Sequence, residues 1–463
     1  MYNIIIKNVE NKYDFAELIK IFLRPEEFNA YTEAEYAEKE ENCESAELFV
    51  FNEERSDDKN EIKREIYNKL SQLTGEKPAW GILTGVRPVK LTGELFQRLG
   101  TQAAVENELA HTYLLADEKI SLLTDTYNYQ QKTCGNPPNN SVGVYIGIPF
   151  CPTRCLYCSF TSNQAGDAEI TRYLEALKTE IRYVGRRMRE TGLTAESIYI
   201  GGGTPTTLTA EQLDDLLQTV EDNLDLRMLK EFTVEAGRPD TITYEKLEAI
   251  HKHKVERISI NPQSMKERTL ELIGRSHEPS DIVKAFQKAD QVGIPIVNAD
   301  LITGLPEETP EDFARTLDEI LALDPENITV HTLAVKRASR LVDVDKDFHY
   351  KQAQTVAEML KIAKEKLKAA GFRPYYLYRQ KHMAGAFENV GYCKDDTPSI
   401  YNIRIMEEKQ TILALGAGGI SKMYYPAENR LERVPNVSNY EIYISRLEEM
   451  LDRKEQNIFK EVK

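Results

Sequence analysis

The length, composition and charge of the chain exclude several classes of protein. Its 463 residues suffice for two or three domains, and 41% of them are hydrophobic, which allows a substantial core. No run approaches the ~18 consecutive apolar residues of a membrane-spanning helix. The formal net charge of −16 argues against a nucleic-acid-binding protein, because such proteins need a basic face.

Residues 1–135 are expected to form a small N-terminal α/β extension. Apolar runs predict strands at residues 2–7 and 48–52, and an amphipathic pattern predicts a helix over residues 58–73. The N-terminal sequence MYNIIIKNVE does not resemble a signal peptide, so we expect a cytoplasmic protein. The composition of residues 135–140 is typical of a linker.

Beyond this linker, short apolar strands alternate with helical patterns. The alternation predicts an α/β fold with a parallel sheet and right-handed crossovers. We interpret residues 140–335 as a partial (β/α)6 barrel of the TIM type, with a doubly wound sheet as the alternative, and residues 336–463 as a C-terminal α+β region. The predicted strands are 142–148, 197–200, 232–235, 257–261, 296–301 and 328–333, and the predicted helices are 170–189, 210–223, 244–253, 266–273, 280–292, 310–323, 350–370 and 438–457.

Three of the six cysteines lie in one eight-residue run, Cys151-Pro-Thr-Arg-Cys155-Leu-Tyr-Cys158. Thiolates at this spacing suit three irons of a 4Fe–4S cluster and leave the fourth iron open for chemistry. A zinc site needs a fourth ligand, but Cys134 and His111 lie upstream at no recognisable zinc spacing. A disulfide would leave an odd thiol, so the pattern favours an iron–sulfur cluster. The other cysteines are interpreted as free thiols: Cys43, Cys134 and Cys393.

Glycine or polar residues follow the next four predicted strands. Gly201-Gly-Gly-Thr-Pro-Thr206 comes after the second strand, and its glycines allow the backbone to approach a ligand closely. Glu235, Gln263 and Asp300 lie at the ends of the following three strands. Each feature alone also fits a tight turn, a helix cap or a solvent-facing residue. Together, beside the cysteine loop, they predict a polar ligand site at the carboxyl ends of the strands.

These motifs resemble the radical S-adenosylmethionine (radical SAM) superfamily. Residues 145–158 match its Cys-x3-Cys-x2-Cys signature. The longer match, which includes residues 201–206 and 300–306, resembles the oxygen-independent coproporphyrinogen III oxidase family. Three further segments resemble the HemZ-like subgroup of that family: residues 378–381, 388–393 and 405–408. The resemblance covers about residues 140–425, and residues 1–135 resemble only the extension of that subgroup.

The resemblance implies two cofactors and a reaction. Cys151, Cys155 and Cys158 would each bind one iron of a 4Fe–4S cluster, and S-adenosylmethionine would chelate the fourth. The reduced cluster would cleave this molecule to a 5′-deoxyadenosyl radical, which removes a hydrogen from the β-carbon of a propionate. Loss of CO2 and one electron would then leave a vinyl group, and conversion of two propionates in this way would turn coproporphyrinogen III into protoporphyrinogen IX without O2, as in haem biosynthesis. The implied partners are this tetrapyrrole and an electron donor such as flavodoxin or ferredoxin, and we favour a monomer.

The resemblance also assigns contacts by motif. Tyr145 and Tyr157 would lie near the cluster and S-adenosylmethionine, and Gly202, Gly203 and Thr204 would contact the amino group of that ligand. The other implied contacts are Glu235, Gln263, Arg275, Asp300, Ala334 and Ile420. Because the family binds two S-adenosylmethionine molecules, some of these residues would serve the second one.

The implied substrate carries four propionates and needs cations, since arginine forks match carboxylates. The candidates, which equally fit solvated loop charges, are Lys336, Arg337, Arg340, Arg379 and Lys381.

Two residues depart from the family pattern. Phe160 stands where the better characterised oxidases have a further cysteine, which haem-chaperone relatives also lack, and Gly147 stands where the family usually has histidine. A haem chaperone on the same fold is therefore an alternative function, with His277, His331 and His382 as axial candidates. A radical SAM methyltransferase that acts on haem is a third possibility.

Overall fold

The computed structural model describes most of the chain as two compact units. One unit comprises residues 1–128 with 378–381 and 385–387, and the other comprises 129–377, 382–384 and 388–463. The division of the sequence at residues 135 and 335 stays a prediction. No helix among the described residues is long and apolar enough to cross a membrane. The described residues are 1–38, 47–159, 162–335, 339, 341, 348, 352–380, 384–394 and 396–460.

The first unit contains a three-stranded parallel sheet of order β2-β1-β3. Its strands are β1 (Tyr2–Ile6), β2 (Phe28–Thr32) and β3 (Glu47–Phe51). The predictions for β1, β3 and the helix over residues 58–73 are confirmed, whereas β2 was missed because FNAYT lacks an apolar run. The first six helices are α1 (Tyr13–Ile19), α2 (Glu33–Ala37), α3 (Lys59–Thr74), α4 (Pro88–Leu99), α5 (Gln102–His111) and α6 (Asp117–Thr133).

Six parallel strands in chain order form the centre of the second unit, as the alternation predicts. Within the described residues, the sheet that contains them does not close into a barrel. These strands are β4 (Ser141–Ile148), β5 (Thr194–Gly202), β6 (Glu231–Gly237), β7 (Arg257–Gln263), β8 (Ile296–Thr303) and β9 (Asn327–Thr332).

Helices connect successive parallel strands, and several begin with the caps that the sequence suggests. Thr209 accepts a hydrogen bond from the Gln212 backbone N–H in a capping box, and Pro310 occupies the first turn of its helix. These helices are α7 (Asp167–Thr191), α8 (Ala210–Asn223), α9 (Tyr244–Lys252), α10 (Glu267–Leu272), α11 (Pro279–Val292) and α12 (Pro310–Leu321).

Within the described ranges, the C-terminal segment extends the same sheet at both edges to a total of eleven strands. β12 (Ile412–Leu415) pairs parallel with β4, and β11 (Glu388–Cys393) pairs antiparallel with β9. The remaining strands are β10 (Arg373–Arg379), β13 (Ile420–Tyr425) and β14 (Arg430–Pro435). The helices are α13 (Ala353–Ala369), α14 (Ile400–Glu407), α15 (Tyr440–Ser445) and α16 (Leu447–Lys454), so the single helix predicted over 438–457 is broken at Arg446.

The parallel sheet has two chemically different faces, because successive side chains of a strand point to opposite sides. The apolar face carries fully buried residues such as Ile146, Ile200, Val234 and Ile260. The opposite face, called the polar face below, carries Tyr145, Tyr199, Glu235, Ser259, Asn298, Asp300, Thr329 and His331.

A buried ion pair ties α7 to the C-terminal helix α16. Lys454 Nζ lies 2.8 Å from Glu180 Oε1, and both side chains are fully buried. The Glu180 carboxylate also accepts hydrogen bonds from the Gly416 N–H (2.7 Å), the Tyr443 hydroxyl (2.6 Å) and Asn436 (3.0 Å). Burial alone raises the pKa of Glu180, but Lys454 and these donors bring it below its ordinary value. The carboxylate therefore joins α7, the β12–β13 turn and both terminal helices.

We expect Lys454→Met to lower the free energy of unfolding by about 3–5 kcal/mol, because it leaves a buried carboxylate without its counter-charge. Urea denaturation measures this change. Lys284→Met is the matched control, since Lys284 pairs with Asp281 at the surface, and it should cost no more than about 1 kcal/mol. Equal losses in the two variants would contradict the structural role of the buried pair.

Candidate functional site

The loop with the three cysteines follows β4 directly and is held at both ends. The Cys151 backbone N–H donates to the Asn163 carbonyl at 3.0 Å, and the Leu156 N–H donates to the Ile273 carbonyl at 2.9 Å. Leu156 and Tyr157 pack against an apolar cluster at the ends of β8, β9 and α10, formed by Leu270, Ile273, Ile302, Leu305, Leu333, Val335 and Leu341. Hydrogen bonds and apolar packing thus fix the loop at the carboxyl ends of the strands.

The three thiols lie within electrostatic reach of one another. Burial, together with the charges of Cys158 and Cys155, raises the pKa of Cys151 to about 11, although a hydrogen bond of 3.5 Å from the Thr204 hydroxyl to its sulfur acts in the opposite direction. Arg275 lies within hydrogen-bonding reach of Cys155 and donates to the Tyr157 hydroxyl at 3.2 Å. Bound iron or a nearby cation favours the thiolate form of such buried sulfurs.

Across the part of the chain that the structure describes, no group of three or more histidine, cysteine or acidic side chains could hold a metal ion as it stands. An iron–sulfur cluster makes a different demand, since each of its cysteines binds a different iron.

The glycine loop after β5 is bonded to the cysteine loop through its backbone. The Gly203 N–H donates to the Ile148 carbonyl at 2.8 Å, and the Thr204 N–H donates to the Phe150 carbonyl at 2.7 Å. A Cβ on Gly203 would lie 2.4 Å from the Phe150 carbonyl oxygen. Gly202 adopts φ +110°, where a Cβ would meet the Tyr145 hydroxyl at 2.9 Å. Glycine is therefore required at both positions by close approach and backbone conformation.

Glu235 accepts two hydrogen bonds from β5 near the end of β6. The Tyr199 hydroxyl donates to Oε1 at 2.6 Å, and the Gly202 N–H donates to Oε2 at 3.1 Å. Burial raises the pKa of Glu235 to about 7, and the Asp300 charge adds to this effect, while the two hydrogen bonds and His331 oppose it. A carboxylate in this setting keeps lone pairs that can accept hydrogen bonds from a ligand.

Gln263 and Asp300 lie on the next strands of the same sheet. Gln263 is buried, adopts φ +66°, and its side-chain carbonyl oxygen has no hydrogen-bond partner among the described residues. Asp300 accepts from the Asn298 amide at 2.7 Å and lies 3.7 Å from His331 Nε2. Asn298 is itself held by Ser259 (2.8 Å) and Thr329 (3.1 Å), so a hydrogen-bond network across three strands orients Asp300. The unpartnered Gln263 oxygen fits contact with a bound ligand, because buried polar atoms are seldom left unsatisfied.

Three tyrosine rings, called the tyrosine layer below, stack beside these carboxylates. Tyr145 and Tyr199 face each other from paired positions on β4 and β5, with ring centroids 6.4 Å apart. Tyr401 of α14 lies 4.7 Å from Tyr199 and 6.4 Å from Tyr145. Sequence reasoning identified Tyr145 but missed Tyr199 and Tyr401. The apolar–Tyr–apolar alternation of β5 could have indicated Tyr199, whereas no local signal brings α14 to this position.

Two further implied contacts with S-adenosylmethionine, Ala334 and Ile420, lie in different parts of the second unit. Ala334 lies two residues past the end of β9, between Leu333 and Val335, which belong to the apolar cluster packed against the cysteine loop. Ile420 begins β13, two strands from β4 in the sheet, and its side chain is exposed. The assignment of all these residues as ligand contacts stays a prediction.

Among the described cation candidates, Arg379 is not a solvated loop charge. It is buried, donates to the Leu83 and Ala386 carbonyls, and lies 4.8 Å from the centre of the Trp80 ring. These contacts within the first unit occupy its guanidinium. The other cation candidates, together with Cys43, Phe160 and His382, lie outside the described residues.

His277, one of the axial candidates, is buried, and neither ring nitrogen has a hydrogen-bond partner in the part of the chain that the structure describes. Burial, aided by Arg275, lowers the pKa of His277 to about 4, so its ring is neutral.

We expect Gly203→Ala to separate the glycine loop from the cysteine loop, because the new Cβ meets a carbonyl oxygen that cannot move alone. Overpacking of this kind costs about 1–3 kcal/mol of the free energy of unfolding. The iron content of this variant after anaerobic reconstitution should also be lower than that of wild type. Gly166→Ala is the control, because its Cβ would meet only Glu169 Oε2 at 3.9 Å. Full iron content in Gly203→Ala would contradict the proposed contact between the two loops.

Comparison with known proteins gives a consistent result. Residues 145–320 match the model of the radical SAM superfamily. The oxygen-independent coproporphyrinogen-III oxidase-like protein HemZ of Bacillus subtilis is 40% identical over 403 residues, which are 86% of this chain and 80% of that protein. The heme chaperone HemW of the same organism is 33% identical over 235 residues, or 50% of this chain and 61% of that one.

The solved coproporphyrinogen III oxidase HemN of Escherichia coli shares the fold, with a TM-score of 0.55 and 21% identity over 70% of this chain and 73% of that chain. Membership of the superfamily implies a 4Fe–4S cluster and S-adenosylmethionine as cofactors. The extent of the HemZ match, together with cysteine and glycine loops joined at the carboxyl ends of parallel strands, shows that the chain belongs to the radical SAM superfamily and, within it, to the family of the oxygen-independent coproporphyrinogen-III oxidase-like protein HemZ.

Proposed function

We propose that this protein catalyses the oxidative decarboxylation of coproporphyrinogen III to protoporphyrinogen IX without O2, as a radical SAM enzyme of haem biosynthesis. The observation that carries the proposal is the junction of the cysteine loop with the glycine loop beside Glu235 and Asp300. The 40% identity to a coproporphyrinogen-III oxidase-like protein supports the substrate class.

The residues present suit both cofactors. Cys151, Cys155 and Cys158 supply the three thiolates that an iron–sulfur cluster with one open iron requires. Beside them, a Cβ at Gly203 would meet the Phe150 carbonyl, and the Gln263 side-chain oxygen lacks a partner. When bound, the cluster and S-adenosylmethionine supply a 5′-deoxyadenosyl radical.

The chain itself would bind and orient these groups. In this proposal Gly202, Gly203 and Thr204 contact the amino group of S-adenosylmethionine, and the Glu235 and Asp300 carboxylates accept hydrogen bonds from its polar groups. Arg275 holds Tyr157 and Cys155 by hydrogen bonds, which fix the position of the cysteine loop. Tyr145 packs beside the glycine loop and excludes water from this edge of the site.

A tetrapyrrole substrate, an electron donor of the flavodoxin or ferredoxin class and a reducing cytosol complete the proposal. Reduced thiols suit such a compartment, and an electron must reach the cluster in every turnover. Ala334 and Ile420 are proposed as further contacts of S-adenosylmethionine, with a second molecule of it as a possible occupant of the site.

We expect the triple variant Cys151→Ala, Cys155→Ala, Cys158→Ala to bind no iron–sulfur cluster after anaerobic reconstitution, because all thiolate ligands are removed. Iron and sulfide content, with the visible absorption of the cluster, measure this outcome. The control removes the other described cysteines by Cys134→Ala and Cys393→Ala and should retain about four irons per chain. A full cluster in the triple variant would refute the ligand assignment.

Product analysis tests the reaction. Anaerobic incubation of the reconstituted protein with S-adenosylmethionine, a reductant and coproporphyrinogen III should yield tetrapyrroles with vinyl groups and one CO2 for each propionate lost. The HemW relative, a heme chaperone, favours haem binding as the second candidate function. Stable stoichiometric binding of haem without turnover of coproporphyrinogen III would reject the enzyme in favour of that candidate.

A further inference from the structure

We propose that Tyr199 is a positioning residue that holds the Glu235 carboxylate in place for S-adenosylmethionine. The inference rests on the proposed function, because it assumes that Glu235 contacts this ligand. It starts from the hydrogen bond of 2.6 Å between the Tyr199 hydroxyl and Glu235 Oε1.

Tyr199 can act only as a donor in this bond. Burial, the Glu235 charge and the hydrogen bond itself raise the pKa of Tyr199 well above its ordinary value. The phenol therefore keeps its proton at physiological pH and donates a hydrogen bond to the carboxylate. A hydrogen bond to a charged acceptor stabilises the ionised form, so Tyr199 favours the carboxylate over the carboxylic acid.

The geometry divides the four acceptor positions of the carboxylate between protein and ligand. Tyr199 occupies one position on Oε1, and the Gly202 N–H occupies one on Oε2. Both donors belong to β5 and its end, so they fix the plane of the carboxylate from one side. The remaining lone pairs are left for hydroxyl or amino groups of the ligand.

The tyrosine layer restricts Tyr199 in turn. Tyr145 and Tyr401 both lie nearly parallel to its ring, with interplanar angles of 17° and 21°, and they also stack on each other. Tyr401 is carried by α14, whose first turn is capped by Glu231 through the Ile400 backbone N–H and the Ser399 hydroxyl at 2.9 Å. Stacking removes rotational freedom from Tyr199, so its hydroxyl is pre-organised toward Glu235.

Several charged or titratable groups face Glu235, and they shift its pKa in opposite directions. Asp300 disfavours the ionised carboxylate, while His331 favours it. The buried phenols of the neighbouring elements stay protonated. The facing groups are Tyr145 of β4, Tyr199 of β5, Asp300 of β8, His331 of β9 and Tyr401 of α14.

The pH dependence follows from these signs. Removal of the Tyr199 hydroxyl withdraws a group that lowers the pKa of Glu235, so that pKa rises above about 7. At neutral pH more of the variant then carries the neutral acid, which is a poorer acceptor. At a pH above the raised pKa the carboxylate ionises without help, so the part of the loss that comes from protonation should disappear.

The test is calorimetric titration of S-adenosylmethionine into oxidised, cluster-loaded protein under anaerobic conditions, with no reductant, from pH 7 to about pH 9.5. We expect Tyr199→Phe to bind the ligand about tenfold or more weakly at pH 7, as for the loss of a hydrogen bond to a charged group. The ratio of the two dissociation constants should fall toward one as pH rises. Titration of the ligand itself cancels in this ratio.

Tyr401→Phe is the matched control, because it keeps the stacked ring and no described hydrogen bond joins Tyr401 to Glu235. It should bind S-adenosylmethionine within about twofold of wild type. A second check uses Glu235→Gln, which cannot titrate. In the Glu235→Gln background, the loss of affinity for S-adenosylmethionine caused by Tyr199→Phe should not depend on pH. The reason is that the two residues act through one hydrogen bond and the glutamine cannot titrate.

An unchanged affinity in Tyr199→Phe at pH 7, or a loss of the same size at every pH, would overturn the positioning role. Failure of the proposed function gives a different result, because the wild-type protein itself would then not bind S-adenosylmethionine. Cluster absorption equal to that of wild type shows that Tyr199→Phe has retained its fold. If Tyr199→Phe lacks that absorption, Glu235→Gln is compared with wild type instead. An affinity for S-adenosylmethionine that depends on pH in the same way in both proteins would then overturn the proposal.

Discussion

The register between β4 and β5 is the constraint on which the site depends. Gly147 pairs with Gly201 and Ile148 pairs with Gly202, so the loops after both strands begin side by side. Two backbone hydrogen bonds, from Gly203 and Thr204, continue this contact beyond the strands. A shift of one residue between these strands would place Tyr145 and Tyr199 on opposite faces of the sheet and separate the loops. The cysteine ligands are thus positioned by strand pairing as much as by their own sequence.

The polar face shows how a parallel sheet can hold a hydrophilic site. The apolar face of the sheet supplies the buried core. On the polar face, side chains satisfy one another by hydrogen bonds between strands, as among Ser259, Asn298 and Thr329. Such a network stabilises only when its members have partners. The Gln263 oxygen, which has no hydrogen-bond partner among the described residues, and the remaining lone pairs of Glu235 are therefore places where a ligand can contribute hydrogen bonds.

The C-terminal segment completes this arrangement from outside the parallel strands. Glu180 and Lys454 fix the terminal helices against α7, and the Tyr173 hydroxyl donates to the Gly147 carbonyl at 2.6 Å while accepting from the Ala417 N–H at 3.0 Å. β12 is thereby held beside β4, the strand that leads into the cysteine loop. Buried ion pairs are costly to desolvate, so their value lies in selecting one arrangement of these elements, which is our hypothesis for this pair.

The sequence by itself determined the repeated strand–helix pattern, the cysteine spacing, the glycine loop and the polar strand ends, because each is a local pattern of a few residues. It also indicated the radical SAM resemblance, which the comparisons confirm. Only the tertiary structure decided that β12 and β11 extend the sheet, that Arg379 is buried against Trp80, and that Tyr401 stacks on Tyr199. These contacts join residues far apart in the chain, and their stability comes from packing and desolvation that no local pattern encodes.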